Sequence, residues 1–253
     1  MRFASLGSGS KGNGTVIDNG ETCLVIDLGF TVKETVRRLS RLGLTPYNLD
    51  AILVTHEHAD HIHGVAGFAR KFGTPVYLTP GTYQKKKMGE LPVLNKINCH
   101  SMFRVGTFSV TPVAVPHDAK EPCQFLVASN DLTVGVLTDL GHPTPHVKAI
   151  YSDCDALLLE CNHDEEMLKK GSYSNSLKLR VGGDYGHLNN SQAAEILGAI
   201  NLERLRYLII SHISQKNNLP DLAQQAVQPL LSEWGGSLVL ASQEEGFDWV
   251  YLT

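Results

Sequence analysis

A large excess of positive charge, a long hydrophobic run and paired cysteines are all missing from this sequence. With 22 Lys+Arg against 26 Asp+Glu its formal net charge is -4, which argues against a protein that coats nucleic acid through a generally basic surface. No apolar run approaches the roughly 18 residues of a membrane span, and the first residues, MRFASLGSGS, lack the apolar core of a signal peptide. The five cysteines form no C-x-x-C pair, which argues against a disulfide scaffold. We therefore expect a cytoplasmic protein that does not contact a membrane.

The composition is that of an ordinary globular protein, and the pattern of apolar residues predicts its fold class. Of the 253 residues, 42% are hydrophobic and 19% are charged, and no repeat or linker divides them, so we predict one domain over residues 1–253. Two batches of short apolar runs, among them the predicted strands Val76–Leu78 and Tyr207–Ser211, are each followed by stretches with helical spacing. These stretches predict helices over Val32–Leu42, over Val65–Phe72 with Gly73 at its end, and over Asp221–Ser232. This order predicts an α/β (α+β) protein with two sheets flanked by helices, that is, a four-layer α/β/β/α sandwich.

A cluster of histidines follows the short β-branched strand predicted at Ala51–Thr55. It reads T-H-E-H-A-D-H-I-H-G and supplies His56, His58, Asp60 and His61. Residues two apart face the same way in an extended segment, so His56 and His58 can converge on one ion. Imidazole together with carboxylate suits borderline divalent ions rather than Ca²⁺ or Mg²⁺. The pattern predicts a metal site, whereas an isolated His-rich surface turn would not need to sit between a strand and an amphipathic helix.

The H-x-H-x-D-H motif after a hydrophobic strand resembles the signature of the metallo-β-lactamase-fold hydrolases. The remaining residues of that family's pattern occur in the same order, each at the end of a predicted strand. They are Asp27 before Gly29, His117 in V-P-H-D, Asp139 in L-T-D-L-G and His212 in I-S-H-I-S. The resemblance covers most of the chain and implies the metallo-β-lactamase fold.

The resemblance also implies two divalent metal ions in each chain. One ion would be bound by His56, His58 and His117 and the other by Asp60, His61 and His212. Asp139 would bridge them, and Asp27 would support the metal loop. Zn²⁺, Mn²⁺ and Fe²⁺ all suit these ligands. A pair of such ions can activate water and stabilise a displacement at phosphorus or at a carbonyl carbon.

Further segments resemble a phosphodiesterase branch of the family. G-H-L-N-N-S, which contains His187 before a predicted helix, resembles the segment of tRNA 3′-processing endonucleases whose histidine protonates the leaving oxygen. L-L-L-E-C-N-H-D, with Glu160, Asn162 and His163, and S-H-I-S-Q-K-N-N are similar to small bacterial YycJ-type exonucleases and phosphoribosyl cyclic phosphodiesterases. Asp60, His187 and His163 are therefore the predicted catalytic residues.

The opening Gly7–Gly14 turn and a few lysine runs are candidate phosphate contacts. The turn does not match a Walker loop, but backbone amides in a Gly/Ser/Asn turn can hold a phosphate. The predicted contacts are Ser8, Ser10, Asn13 and, after the last metal histidine, Asn217. Lysine runs such as Lys85-Lys86-Lys87 most often lie on a solvent-exposed face, although a run beside a metal cleft could guide the phosphates of a nucleic-acid strand.

Together these residues predict a dinuclear metal-dependent phosphodiesterase, specifically a 5′→3′ exonuclease acting on DNA or RNA ends. Three alternatives stay open at this point: a phosphodiesterase of a small or cyclic sugar phosphate, a glyoxalase- or lactonase-like hydrolase, and a metal-stabilised interaction module without activity. The expected partner is a nucleic acid end, and the sequence allows either a monomer or a homodimer.

Overall fold

Strands and helices alternate along residues 1–253, all of which are described by the computed structural model. The strands are β1 (Arg2–Gly7), β2 (Gly14–Asp18), β3 (Cys23–Ile26), β4 (Ala51–Leu53), β5 (Val76–Leu78), β6 (Leu94–Lys96), β7 (Phe103–Val105), β8 (Phe108–Ala114), β9 (Cys123–Ser129), β10 (Leu132–Leu137), β11 (Ala156–Glu160), β12 (Tyr207–Ser211), β13 (Ser237–Leu240) and β14 (Phe247–Tyr251). The helices are α1 (Val32–Arg41), α2 (Ala59–Ile62), α3 (Val65–Phe72), α4 (Lys85–Met88), α5 (Pro145–Ile150), α6 (Glu165–Lys170), α7 (Asn175–Val181), α8 (Asn190–Leu197) and α9 (Pro220–Val227). None of them is long and apolar enough to cross a membrane.

The chain divides into two compact units. The first consists of Met1–Ala114, Ala119–Leu132 and Ser242–Thr253, and the second of Val115–Asp118 and Thr133–Ala241. Each unit combines strands with helices, which confirms the predicted α/β class. The assignment of residues 1–253 to a single domain stays a prediction.

The first unit contains a mixed seven-stranded sheet in the order β14-β1-β2-β3-β4-β5-β6. The β14-β1-β2-β3 half is antiparallel and the β3-β4-β5-β6 half is parallel. Strands β7, β8 and β9 form an antiparallel ribbon in the same unit. Because β4 and β5 run parallel, the loops that follow them leave the sheet at the same edge.

Helices α1 and α3 cover the core of the first unit. Leu39 of α1 and Phe68 of α3 are completely buried, as is Ile52 of β4. Helix α1 begins where Thr31 Oγ1 accepts a hydrogen bond from Glu34 N. Helix α3 ends at Gly73, whose φ of 76° is the left-handed conformation that a glycine adopts without strain. Both helix ends lie where the apolar pattern of the sequence placed them.

The second unit contains four parallel strands in the order β13-β12-β11-β10, connected by helices. The strands β11 and β12 are nearly continuous apolar runs that are buried except at Tyr207, as expected for parallel strands covered on both faces. Ligands of parallel sheets bind beyond the carboxyl ends of the strands. Asp139, Glu160 and His212 lie at these ends, two residues after β10, at the last residue of β11 and directly after β12.

Several elements differ from the sequence prediction. Helices α4, α5 and α7 and strands β6 and β7 were not predicted, because each is short and α7 buries none of its residues. The predicted helix at Asp221–Ser232 is instead α9 followed by a 3₁₀ turn at Gln228–Leu231. Pro229 explains the break, since proline has no N–H to continue the α-helical hydrogen bonds.

Candidate metal centre

The histidine cluster of the first unit forms a tight loop between β4 and α3, which we call the metal loop (residues 54–63). The side chains of His56 and His61 are buried, and that of His58 is partly exposed. The Nε2 atom of His56 lies 3.0 Å from Nδ1 of His58, and the rings of His56 and His61 are 4.1 Å apart. Asp60 and His61 lie on the short helix α2, separate from α3, so the chain turns between the H-x-H pair and the D-H pair.

Asp27 holds the metal loop through hydrogen bonds to Thr55 and His61. This buried carboxylate accepts hydrogen bonds from Thr55 N at 2.9 Å and from Thr55 Oγ1 at 2.7 Å. Its Oδ2 lies 2.8 Å from Nδ1 of His61, and because an ionised carboxylate only accepts, His61 donates from Nδ1 and keeps a lone pair on Nε2. The contacts are those expected of the support role predicted for Asp27. Its φ of 61° is unusual for a residue other than glycine.

Asn13 connects the Gly7–Gly14 turn to the metal loop. Its Nδ2 lies 3.1 Å from His61 Nε2 and 3.3 Å from the backbone oxygen of Asp60, and its backbone N donates to that oxygen at 2.8 Å. Its Oδ1 accepts a hydrogen bond from Gly9 N at 2.7 Å. The main contacts of this side chain therefore position the metal ligands.

The amides of the same turn are mostly engaged inside the protein. Ser8 N donates to Ser242 O, Gly12 N to Gly9 O and Lys11 N to Gln243 Oε1. A cradle of backbone amides for a phosphate, as the glycine-rich sequence had indicated, is not available at these positions. The phosphate contacts predicted for Ser8, Ser10 and Asn13 stay predictions, and they would have to come from side chains.

Gly29 allows a close approach of the chain to the metal loop. A Cβ atom at this position would lie 1.7 Å from the backbone oxygen of Asp60, which cannot move away because it accepts the hydrogen bond from Asn13 N. We expect Gly29→Ala to lower the free energy of unfolding by about 3 kcal/mol, since overpacking against backbone cannot be relieved by a rotamer change. Urea unfolding measures this loss. Gly235→Ala is the matched control, because a Cβ there meets nothing within 4 Å, and an equal loss in both variants would contradict the interpretation.

The second unit brings together four potential ligands. Donor atoms of Asp139, Glu160, His187 and His212 all lie within 4.8 Å of one another. Asp139 and His212 have φ values of 53° and 54°, so two of these residues adopt the left-handed backbone that L side chains rarely use. Of the four, His187 has the most exposed side chain, at 22%, against 3% or less for the others.

Glu160 organises this cluster from its centre. Its Oε1 lies 2.8 Å from Nδ1 of both His187 and His212, and its Oε2 accepts hydrogen bonds from Leu140 N at 3.2 Å and Leu188 N at 3.1 Å. Burial would raise the pKa of this carboxyl, but the charges and hydrogen bonds of the two histidines outweigh it and lower the pKa below its usual value. Glu160 is thus a buried carboxylate that fixes one ring nitrogen of two histidines.

The pKa values of the histidines of the second unit shift in different directions. Burial acts to lower the pKa of His187, but the Glu160 carboxylate outweighs it and the net pKa is raised. Burial lowers the pKa of His117, although Asp139 acts in the opposite direction. Nδ1 of His117 lies 2.9 Å from the backbone oxygen of Gly186 and therefore donates a hydrogen bond to it. The Glu160 carboxylate thus favours the charged form of His187, whereas burial favours the neutral form of His117.

His163 and Asn217 are buried but lie outside this set of four. Burial lowers the pKa of His163 to about 4, so its imidazole is neutral near pH 7, and its Nδ1 has no hydrogen-bond partner. The amide side chain of Asn217 is buried without a hydrogen-bond partner at either atom. The catalytic role of His163 and the phosphate contact of Asn217 stay predictions.

The residues present fit divalent metal ions. His61, His117 and His212 each hold Nδ1 against a buried carboxylate or a backbone carbonyl, which leaves Nε2 as the nitrogen that can coordinate. Mixed imidazole and carboxylate donors are typical of zinc and manganese sites. The chain can therefore hold metal, and the buried carboxylates behind the histidines orient them for it.

Sequence reasoning did not include Glu160 or Leu188 N among the site contacts, and it gave Asn13 another role. A signal for Glu160 does exist. This glutamate is the last residue of the apolar run L-L-L-E, and a carboxylate in a buried strand is stable only if it is hydrogen-bonded. The carboxylate's two histidine partners are 27 and 52 residues away along the chain. Its role could be recognised only once these segments were seen together.

Comparisons with known proteins agree with this arrangement. A family model described as Beta-lactamase superfamily domain matches residues 22–213, a span that contains all seven predicted metal ligands. The chain is 34% identical over 240 residues to a Streptococcus pneumoniae serotype 2 protein named exodeoxyribonuclease WalJ, covering 92% of this chain and 89% of that one. It is 32% identical over 239 residues to the Bacillus anthracis protein named exodeoxyribonuclease YycJ, covering 93% and 90%.

A solved structure shows the same fold. The metallo-beta-lactamase fold protein YhfI from Bacillus subtilis superimposes with a TM-score of 0.74 over 99% of both chains, at 16% sequence identity. At this identity the similarity concerns the fold alone.

Proposed function

We propose that this chain, which belongs to the beta-lactamase superfamily and is a metal-dependent hydrolase of the metallo-β-lactamase fold, is an exonuclease that removes nucleotides from DNA ends in the 5′→3′ direction. The observation that carries the proposal is the similarity along about nine tenths of the chain to two proteins named exodeoxyribonuclease. The fixed pair of Glu160 and His187 supports it, since a phosphodiester leaving group requires a proton. Residues 1–253 would act as one hydrolase domain.

Two divalent ions are part of this proposal. His56, His58 and His117 would bind one and Asp60, His61 and His212 the other, with Asp139 shared, as the family resemblance implies. Zn²⁺ or Mn²⁺ suits these donors, and Fe²⁺ is also compatible. When bound, such ions would lower the pKa of water and stabilise charge on the phosphoryl oxygens. The protein's own part is to orient the ligands, and Asp27, Asn13 and Glu160 do this.

His187 is proposed as the residue that protonates the departing oxygen. Glu160 Oε1 fixes its Nδ1, so Nε2 is the nitrogen that can transfer a proton. Its ring stacks at 5.3 Å on that of His212, and its partly exposed side chain can reach a substrate. A positioned imidazole held by a carboxylate is well suited to this step.

We expect His187→Ala to lower kcat on DNA about 100-fold, the lower end of the range for a lost general acid. On bis-p-nitrophenyl phosphate the loss should be less than about fivefold, because nitrophenolate leaves without a proton. Rates on both substrates, measured with the same Mn²⁺-loaded protein, check the prediction. Equal losses on the two substrates would show that His187 does something other than protonate the leaving group.

His163 is proposed as a second, smaller contributor to the same step. Its neutral, buried imidazole can pass a proton on or hold the segment before α6, where its backbone oxygen accepts from Asn190 N at 3.0 Å. His163→Ala analysed beside His187→Ala separates the two roles. A proton-transfer role gives a larger loss on DNA than on the nitrophenyl ester, whereas a structural role gives equal losses.

The test of the function uses purified protein, Mn²⁺ and DNA labelled at one end. Stepwise release of nucleotides from 5′ ends is the expected result, and release from 3′ ends would correct the polarity. Parallel reactions with a cyclic ribose phosphate and with a glutathione thioester test the alternatives. Faster turnover of either small substrate than of DNA would overturn the proposal.

A further inference from the structure

We propose that four lysines of the first unit, Lys85, Lys86, Lys87 and Lys120, form a surface that binds the phosphates of the DNA strand beside the metal loop. We call it the lysine surface. The inference rests on the proposed nuclease function and adds the site at which the polymer, rather than the scissile bond, is held. The molecule as a whole is acidic, with a net charge of -4, so a concentration of lysines next to the metal loop needs an explanation.

The lysines and the metal loop leave the sheet at the same edge. Strands β4 and β5 are parallel neighbours, paired at Ile52–Val76 and Leu53–Tyr77. The pairing continues beyond β4, where Val54 N donates to Tyr77 O at 2.9 Å. The metal loop follows β4, and the loop leading to α4 follows β5. The predicted metal ligands therefore follow the carboxyl end of β4, and the three lysines of α4 follow the carboxyl end of the adjacent strand β5.

The segment Ala119–Cys123 connects the two loops through hydrogen bonds. On the metal-loop side, Lys120 N donates to Glu57 Oε1 at 3.0 Å and Cys123 N donates to Thr55 O at 3.0 Å. Glu57 lies between the ligands His56 and His58 in sequence. Lys120 is exposed, and its backbone is held directly against the metal loop.

On the other side, Glu121 holds the turn that precedes α4. Its Oε2 accepts a hydrogen bond from Gly81 N at 2.6 Å, and its backbone oxygen accepts one from Thr79 Oγ1 at 2.8 Å. The approach is close, since a Cβ at Gly81 would lie 2.5 Å from Glu121 Cβ. The segments that carry these lysines therefore meet at the Glu121–Gly81 contact: Lys120 directly precedes Glu121, and α4 begins four residues after Gly81.

Helix α4 is anchored so that its lysines face solvent. Met88 is buried, and its backbone oxygen accepts a hydrogen bond from Arg70 Nη1 at 2.7 Å. Tyr83 OH donates to Gly89 O at 2.9 Å, which closes the segment. All three lysines of α4 are exposed. A short helix held at both ends fixes the backbone from which the lysines project, so less backbone entropy is lost on binding.

The local charge favours a polyanion. Lys85 Nζ forms an ion pair with Glu90 at 2.8 Å, and the carboxylates of Glu121 and Glu57 accept hydrogen bonds from backbone amides of the same segments. The four lysines therefore outnumber the three carboxylates in contact with these segments. Each lysine that neutralises a phosphate releases counterions, so affinity for the strand comes from several such contacts and falls with salt. Three consecutive lysines and a fourth beside the metal loop suit a flexible single strand, which can adjust its phosphates to them.

The test compares two double variants that remove the same charge. Lys86→Ala/Lys87→Ala changes the lysine surface, and Lys169→Ala/Lys170→Ala changes a lysine pair at the end of α6, where both lie within 4 Å of Glu166. Binding of fluorescent single-stranded DNA is measured in EDTA over a salt series. For the first variant we expect about tenfold weaker binding and a decrease of about 1.4 in the slope of log K against log[salt], which is 0.7 for each lost contact. The control variant should bind like the wild type.

Hydrolysis of bis-p-nitrophenyl phosphate separates failure of this inference from failure of the proposed function. All three proteins should hydrolyse it at rates within twofold of one another, because the small ester does not reach the lysine surface. If the wild type binds and shortens DNA and Lys86→Ala/Lys87→Ala does so equally well, the lysine surface is wrong and the nuclease function stands. If both double variants lost the same affinity for DNA, the effect would be one of net charge, and the lysine surface would also be wrong. If the wild type cleaves the ester but neither binds nor shortens DNA, the nuclease function fails, and the lysine surface fails with it.

Discussion

Replacing His61 by alanine is expected to reduce Mn²⁺-dependent shortening of DNA about 10⁴-fold. Metal ions contribute several kcal/mol to such reactions, and each 1.36 kcal/mol is a factor of ten in rate. His61 is completely buried, and its Nδ1 is held by Asp27 at 2.8 Å, so no neighbouring side chain can take its place. Elemental analysis of the purified variant should also show less bound transition metal than the wild type.

His63→Ala is the matched control for this experiment. His63 lies two residues further along the same loop but is exposed, so its loss should leave the rate within about twofold and the metal content unchanged, as for most surface substitutions. Circular dichroism and thermal unfolding should establish that both variants are folded. If the His61 variant kept wild-type metal content and rate, the metal loop would not be the catalytic metal site, and the proposed function would lose its basis.

Replacing Glu160 by glutamine is expected to lower kcat on DNA by at least about 10³-fold. A general acid contributes about 100-fold or more, and outer contacts of a metal ligand contribute 10- to 100-fold. Glu160 makes both contacts, one to His187 and one to His212, so the two losses combine.

The amide of a glutamine cannot satisfy the four donors around Glu160. If its oxygen faces the two histidines, its NH₂ group faces the donating amides of Leu140 and Leu188. If it is flipped, the NH₂ group forces each histidine to accept at Nδ1, and the proton then moves to Nε2, the nitrogen needed for coordination in His212. Either arrangement damages the site although the side chain keeps its volume. We therefore also expect metal affinity to fall 10- to 100-fold.

Asp155→Asn provides the control at the opposite end of the same strand. Asp155 immediately precedes β11, is buried, and accepts a hydrogen bond from Thr133 N at 2.8 Å. Its carboxylate also accepts a hydrogen bond from Arg204 Nη2 at 3.2 Å, so its replacement should cost about 2–3 kcal/mol of stability, as for a weakened hydrogen bond to a charged group. The rate per folded molecule should stay close to the wild type. A Glu160→Gln variant with the same rate as Asp155→Asn would mean that Glu160 only stabilises the fold.

Backbone strain is concentrated beside the candidate metal ligands of each unit. The residues other than glycine that have positive φ values are Asp27, Asp139 and His212, together with Asn130 in a surface turn between β9 and β10. Each of the first three follows directly or closely on a strand and turns its side chain sharply at the strand's carboxyl end. Such conformations persist only where surrounding contacts hold them. Thr55 and His61 hold Asp27, and Glu160 holds His212.

The local pattern of the sequence was sufficient to predict much of this protein. The period of the apolar residues predicted the helices at Val32–Arg41 and Val65–Phe72 and the strands Val76–Leu78 and Tyr207–Ser211 at their observed positions, because burial on one helical face or on both strand faces depends on neighbouring residues. The spacing within H-x-H-x-D-H predicted a metal site. The resemblance of this and the other motifs to one family implied the metallo-β-lactamase fold and a hydrolase, and the comparisons confirm both the fold and the hydrolase.

Only the tertiary structure decided how those residues are held. Asn13 lies against Asp60 and His61 although 47 residues separate it from Asp60, and Glu160 joins two histidines that come from a loop and from the end of another strand. The contact of Gly29 with the Asp60 backbone and the hydrogen bond from Lys120 N to Glu57 likewise join segments that are far apart in the sequence. A hydrogen bond depends on the separation of two atoms in space, to within a few tenths of an ångström, and no local pattern encodes a distance between segments that meet only after the sheets have formed.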